Sequence, residues 1–230
     1  MNTNIAEFVG AMIGDGCLSL VTSRSEKRIR KTALLTGHLK HDHAYYERVI
    51  RPIIQQEFQT KGYIGKRLKR NCVYLVMGNN VFDFLKSLGF PIGRKLELQI
   101  PIVIMQNPEL AKACVRGIFD TDGSIYRRYS KQYKSHTRLY DYLVIQFKMD
   151  SEKTIMQIKE ILTACGIETN KIIPERESYV LRITKQDHVK KFMEIIRPSN
   201  TYHVERYINR CMAQKPHGPL AQLVEHPKLV

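Results

Sequence analysis

The sequence predicts an α+β fold of two pseudo-symmetric αββαββα halves. They form a saddle of two antiparallel sheets and pack together through one helix from each half. Three observations predict it. First, one nine-residue motif occurs twice, as Phe8-Val9-Gly10-Ala11-Met12-Ile13-Gly14-Asp15-Gly16 and as Val115-Arg116-Gly117-Ile118-Phe119-Asp120-Thr121-Asp122-Gly123. Gly117 follows Gly10 by 107 residues, and Asp122 follows Asp15 by the same number. Second, each copy is followed by the same succession of alternating and helical segments, the mark of an internal duplication. Third, small residues four apart line both motif helices, where two backbones would meet.

In the first helix Ile5, Phe8, Val9, Met12 and Ile13 fall on one apolar face. In its counterpart Leu110, Ala111, Cys114, Val115, Ile118 and Phe119 do the same. Asn107-Pro108-Glu109 there supplies an N-cap, a first-position proline and a first-turn acid. Ala6, Gly10 and Gly14 form a second stripe, matched by Ala113, Gly117 and Thr121. A mid-helix glycine costs about 1 kcal/mol relative to alanine, so its presence at both matched places points to close helix packing. Asp15 and Asp122 then fall at helix C-termini, which already carry about half a negative charge. Gly16 and Gly123 fit left-handed caps.

After each motif helix the pattern changes period. Arg30 to Lys40 alternates, with Ala33, Leu35 and Leu39 on one face and polar and basic residues on the other. Adding 108 carries this segment onto Arg138 to Lys148, so that Arg30, Thr32, His38 and Lys40 map to Arg138, Tyr140, Gln146 and Lys148. Helices follow at 43–58 and 152–165. The same offset carries Val73, Leu75, Val81 and Phe84 onto Leu181, Ile183, Val189 and Phe192. The expected organisation is a first half at 1–95, a connector at 96–107 and a second half at 108–212. A tail at 213–230 is expected to be disordered. Pro91, Pro101 and Pro108 punctuate the connection. His41 and His43 beside Asp42 suggest a metal cluster, but they sit at a strand-to-helix turn where Asp42 reads as an N-cap.

Composition narrows the partner. With 37 Lys+Arg against 22 Asp+Glu the net charge is +15 and the pI about 9.6, a prior for a polyanion. The outward strand positions include Arg30, His38, Lys40, Arg67 and Lys69 in half one. In half two they include Arg128, Arg138, Gln146, Lys148 and Arg182, with Tyr126, Tyr140 and Tyr142 between them. Such faces suit double-stranded DNA, with strands in the major groove reading base edges while other residues hold phosphates. Each position can serve a base, a phosphate or solvent. Five scattered cysteines without a CxxC suit reduced thiols in an intracellular protein, cytoplasmic or in an organelle. No signal peptide and no apolar run near 18 residues is present, so no membrane partner is expected.

A lone Asp-Gly is an ordinary helix stop. Two, in matched context on a basic protein, suggest metal-dependent cleavage of a nucleic acid. The two carboxylates repel unless a cation lies between them, and hard cations such as Mg²⁺ take carboxylate, carbonyl, water and phosphate oxygens. Asp15, Asp122, Gly14 and Thr121 are the candidate ligands. The paired motifs resemble the LAGLIDADG family of homing endonucleases. Motif one departs at its sixth position, where Ile13 replaces the usual first acid that motif two keeps as Asp120. In that family the last Asp of each motif is the metal-binding catalytic acid, which implies Asp15 and Asp122. The resemblance further implies a monomeric, Mg²⁺-dependent endonuclease that cuts both strands of a long asymmetric site and is encoded in an intron or intein. Basic residues line the centre in that family, which makes Lys40, Lys95 and Lys148 catalytic candidates, each equally readable as a phosphate contact. Three alternatives stand beside this reading: a maturase acting on intron RNA, a non-catalytic DNA-binding regulator, and an unrelated basic RNA-binding structural protein.

Overall fold

The computed structural model describes residues 1–22, 29–129 and 141–213. Arg138, Tyr140 and the tail beyond Ala213 lie outside the described residues. Half one runs α1 (Thr3–Gly14), β1 (Gly16–Thr22), β2 (Ile29–His38), α2 (His43–Tyr45), a π turn (Tyr46–Ile50), α3 (Arg51–Phe58), β3 (Tyr63–Arg67), β4 (Cys72–Met77) and α4 (Asn79–Ser87). A short α5 (Ile102–Met105) lies in the connection. Half two runs α6 (Pro108–Asp122), β5 (Gly123–Tyr129), β6 (Asp141–Met149), α7 (Glu152–Ala164), β7 (Ile173–Glu175), β8 (Ser178–Ile183) and α8 (Gln186–Ile195). It is followed by α9 (Thr201–Ala213). The sheets are antiparallel, ordered β1-β2-β4-β3 and β5-β6-β8-β7. The α+β architecture of two like halves is as the sequence predicts.

The helix seam is set by glycine. A Cβ on Gly10 would run into the backbone carbonyl of Cys114, and one on Gly117 into that of Glu7. A Cβ on Gly14 would strike the Thr121 hydroxyl. The α1–α6 contact is therefore backbone on backbone. Phe8, Val9, Met12, Val115, Ile118 and Phe119 radiate from it, all fully buried, each stabilising by roughly 1.5–3 kcal/mol. Asn2 and Asn107 cap the two helices through their side-chain oxygens. Gly16 and Gly123 are not left-handed: Gly123 has φ −80° and ψ 164°, and Gly16 starts β1 without a positive φ. α6 passes directly into β5, and Asp15 alone separates α1 from β1, so the strand begins at the glycine in each half.

Two further expectations change. The motif helices correspond at 107 residues, but the second strands do not correspond at 108. Gly16 pairs with Leu35, whereas Gly123 pairs with Phe147, an offset of 112. The connecting segment is residues 23–28 in half one and 130–140 in half two, five residues longer, and hairpin register follows the connection. Leu34 and Thr36 thus occupy the places of Gln146 and Lys148. His38 and Lys40 do not. The helix at 43–58 also contains a π turn. Pro52 has no N–H to donate to the Arg48 carbonyl, and the ladder widens just before it.

The halves are tied reciprocally. The Leu98 carbonyl of the connection accepts from Ser151 Oγ and Thr154 Oγ1, both 2.6 Å, at the start of α7. The segment after α8 returns to half one, where Asn200 Nδ2 donates to Asp42 Oδ1 (3.2 Å) and Tyr202 stacks on His41 at 3.9 Å.

Candidate active site

The seam delivers Asp15 and Asp122 to one point. Asp15 is the C-cap of α1 and Asp122 the last residue of α6. Burial is the largest cause raising both carboxyls, to about 6 for Asp15 and about 7 for Asp122, and the charge of Asp15 adds to the rise at Asp122. Each half sets a second carboxylate alongside: Asp42 raises Asp15, and Asp150 raises Asp122. Asp42 is itself pushed to about 6, chiefly by burial. Asp42 does not cap α2 with its side chain. Its Oδ2 instead accepts the His38 N–H at 2.6 Å, and Gly37 leaves room for the Asp42 carboxylate and the Tyr46 hydroxyl together.

A buried cation faces this negative group. Lys95 Nζ donates to the carbonyls of Met12 (3.3 Å), Ile13 (2.7 Å) and Gly14, capping the C-terminus of α1. Burial lowers the lysine and the fields of Asp122 and Asp15 hold it up. In half two the same task falls to a neutral group, as Asn200 Nδ2 donates to the Asp120 carbonyl at 2.9 Å. Asp120 is fully buried, its Oδ2 accepting from Ser199 N–H at 2.7 Å, and burial raises its pKa. Tyr46 donates its hydroxyl to Asp15 Oδ2 at 2.7 Å.

The other expected site residues are placed as follows. The Gly14 carbonyl faces Lys95. Thr121 Oγ1 turns back onto the Gly117 (3.0 Å) and Ile118 (3.2 Å) carbonyls. Lys40 lies exposed in the turn beyond β2, whose last residue is His38. Lys148 is on β6 and pairs with Glu175 at 2.8 Å. Together with Asp122, Lys95, Asp150 and Glu177 it lines a cavity of about 690 Å³ on one flank of the carboxylates. Tyr126, Gln146 and Arg182 form one hydrogen-bonded group on sheet two. Arg30 and Arg128 sit on exposed strand ends, and Tyr142 begins the outward row of β6. Arg67 lies 5.0 Å over the Tyr74 ring, and His38 Nε2 meets Asn71 at 2.6 Å. Lys69 is in a tight turn (Leu68–Arg70), not on a strand. Sequence reasoning missed Tyr46, Asn200, Asp150 and the role of Asp42. None belongs to the repeated motif, and only Tyr46, one turn beyond Asp42 on a helix, had a readable position.

Comparison with known proteins bears on the fold. Residues 109–197 match a model described as a LAGLIDADG-like domain, and residues 38–92 match the WhiA LAGLIDADG-like domain. The chain belongs to the LAGLIDADG family. No curated protein matches it by sequence. Among solved LAGLIDADG structures, a mesophilic variant of the homing endonuclease I-DmoI superposes with a TM-score of 0.60 at 17% identity, covering 85% of this chain and 96% of that one. I-DmoI in complex with DNA and Mn gives 0.58 at 17%, covering 84% and 96%. Full-length DUF199/WhiA from Thermatoga maritima gives 0.56 at 16%, covering 96% of this chain and 64% of that one. Among the described residues no helix is long and apolar enough to cross a membrane.

Proposed function

We propose that this LAGLIDADG protein is a site-specific double-strand DNA endonuclease of the homing type, acting as a monomer on a long asymmetric target. The observation that carries the reading is the pair of buried carboxylates, Asp15 and Asp122, at matched helix ends on the seam between two basic sheets. Their raised affinity for protons comes first from burial and then from neighbouring carboxylates, a rise that Lys95 opposes. Among the described residues no three His, Cys, Asp or Glu side chains gather as a metal cage. The donor set suits a hard divalent cation such as Mg²⁺ held by Asp15 and Asp122, with water and phosphate completing it. I-DmoI complexes contain Mn, Ca or Mg. When bound, the cation activates water and stabilises the leaving 3′ oxygen. Tyr46 holds Asp15 in one rotamer. Lys95 offsets negative charge between the two acids, and Lys148 offers a positive group beside Asp122.

A second reading, a non-catalytic DNA-binding regulator, is favoured by the WhiA-like match of residues 38–92. Cleavage of a randomised duplex library in Mg²⁺ separates them. We expect the wild type to cut one sequence family on both strands, and Asp15→Asn and Asp122→Asn to lose at least ~10³-fold in rate. Selective binding without any cut would establish the regulator instead. A dependence on intron RNA for tight binding would support a maturase role.

A further inference from the structure

The outward faces of the two sheets differ in chemistry at the same place. In sheet one the register sets Cys17, Leu34 and Val76 in one row, on the side away from the helices. In sheet two the corresponding row is Ser124, Gln146 and Arg182. The correspondence follows from the pairs Gly16–Leu35–Leu75 and Gly123–Phe147–Leu181, which lie one step along each sheet. Every polar group of the second row is replaced in the first by an aliphatic side chain or a thiol.

The first row continues apolar. Val76 pairs onward with Tyr63, which is 64% exposed. One row along, Tyr74 lies across Gly65, where a Cβ would collide with its ring, and the two tyrosine rings are 6.2 Å apart. Leu34 and Val76 are only partly covered although they face away from the core. In the second row Gln146 Oε1 accepts from Arg182 Nε (2.7 Å) and from the Tyr126 hydroxyl (3.2 Å). Arg182 Nη2 also lies 3.6 Å from Glu175. The amide oxygen of Gln146 is thus occupied, and its NH₂ and the remaining guanidinium N–H groups are the donors left to present outward.

We infer that the two halves read chemically different half-sites: sheet one packs Leu34 and Val76 on thymine methyl groups, and sheet two uses Gln146 and Arg182 to donate to purine N7 and guanine O6. This rests on the DNA-binding part of the reading above and not on cleavage. In the major groove thymine alone offers a methyl group, and purines offer the N7 acceptor. An aliphatic row has nothing to offer an acceptor, and a row of fixed donors gains nothing from a methyl.

The test is fluorescence anisotropy in Ca²⁺ with the duplex best bound from a randomised library. Deoxyuridine replaces thymidine, removing only the methyl, or 7-deazapurines replace purines, removing only N7. We expect uracil to weaken binding about four-fold per contacted methyl in one half-site alone, with that penalty gone in Leu34→Ala and in Val76→Ala. We expect 7-deazaguanine to weaken binding roughly 5- to 100-fold in the other half-site alone, with that penalty gone in Arg182→Leu. The vanishing penalty also assigns each half-site to its sheet by non-additivity. Equal methyl and N7 penalties in both half-sites would overturn this inference and leave the endonuclease reading standing. Absence of any sequence-selective binding would overturn both.

Discussion

The two motif ends share a backbone and differ in what surrounds it. On the side of Asp15 a tyrosine hydroxyl fixes the carboxylate, a lysine caps the helix, and the flanking turn carries a stack of His38, His41 and Tyr202 with ring centroids 3.9 Å apart. On the side of Asp122 no side chain among the described residues hydrogen-bonds the carboxylate, a neutral asparagine caps the helix, and the flank opens into the cavity bounded by Lys148 and Asp150. Even the sixth motif position differs, Ile13 packing where Asp120 is buried with a hydrogen bond. Duplication has kept the geometry that delivers two carboxylates to one axis. It has not kept their chemical settings, so the two centres are inequivalent before any DNA binds.

The largest effect is expected where the halves are still alike. Gly10→Val and Gly117→Val each drive a side chain into the partner helix's backbone. Each should cost about 3 kcal/mol or more, measured by thermal unfolding. A loss confined to one substitution would mean that the seam is less symmetric than the glycine contacts indicate.

Next comes pH. Because burial raises Asp122 from 3.8 to about 7, the folded chain holds this proton more tightly than the unfolded chain does. The resulting stability is present below about pH 4 and is lost as pH rises through 7. Asp122→Asn should therefore be more stable than wild type at pH 8 without divalent cation, by about 1–4 kcal/mol, and equal to it near pH 4. Asp15 rises only to about 6 with Tyr46 opposing the shift, so Asp15→Asn should gain less. His203, lowered to about 4 chiefly by burial, loses its contribution as pH falls below 6.5, equally in all three proteins. A smaller gain for Asp122→Asn than for Asp15→Asn would reverse the comparison.

Tyr46→Phe should act on one centre. A hydrogen bond to a charged group is worth about 1.5–3 kcal/mol, so one strand should be cut roughly 10- to 100-fold more slowly while the other is cut as before. Nicked intermediate should then accumulate from supercoiled plasmid. Equal slowing of both strands would show that the tyrosine supports the fold and not one carboxylate.

These asymmetries mark the edge of what the sequence discloses. The apolar stripes and the glycine spacing foretell α1 and α6, their contact and the two aspartates, because each of those features is local in the chain. Strand correspondence is not local. The alternation of Arg30 to Lys40 is legible, but its register against half two depends on a connection five residues longer there, and for that reason Thr36, not Lys40, corresponds to Lys148. The role of Asp42 is hidden for a similar cause: its partner Asn200 is 158 residues away. The position of Tyr46, one helical turn past Asp42, is legible, but its bond to Asp15, 31 residues back along the chain, is not.

The smallest predicted effect tests the charge on the two outer hairpins. β3 ends in Lys66 and Arg67, and the turn to β4 carries Lys69 and Arg70. β7 ends on Glu175, which ties down Lys148 at 2.8 Å and Arg182 at 3.6 Å, and the turn to β8 carries Arg176 and Glu177. Half one should therefore contribute more of the salt-dependent binding than half two. Lys69→Ala with Arg70→Ala should flatten the dependence of log K on log salt by about one to two, each phosphate contact contributing about one. Glu175→Gln works in the opposite direction, releasing Lys148 towards phosphate and steepening the slope by about one. It should also loosen Arg182, so sequence preference ought to fall while affinity at low salt rises. If Glu175→Gln raises affinity and preference together, Glu175 is a brake on the whole face and not the residue that holds Arg182 in place.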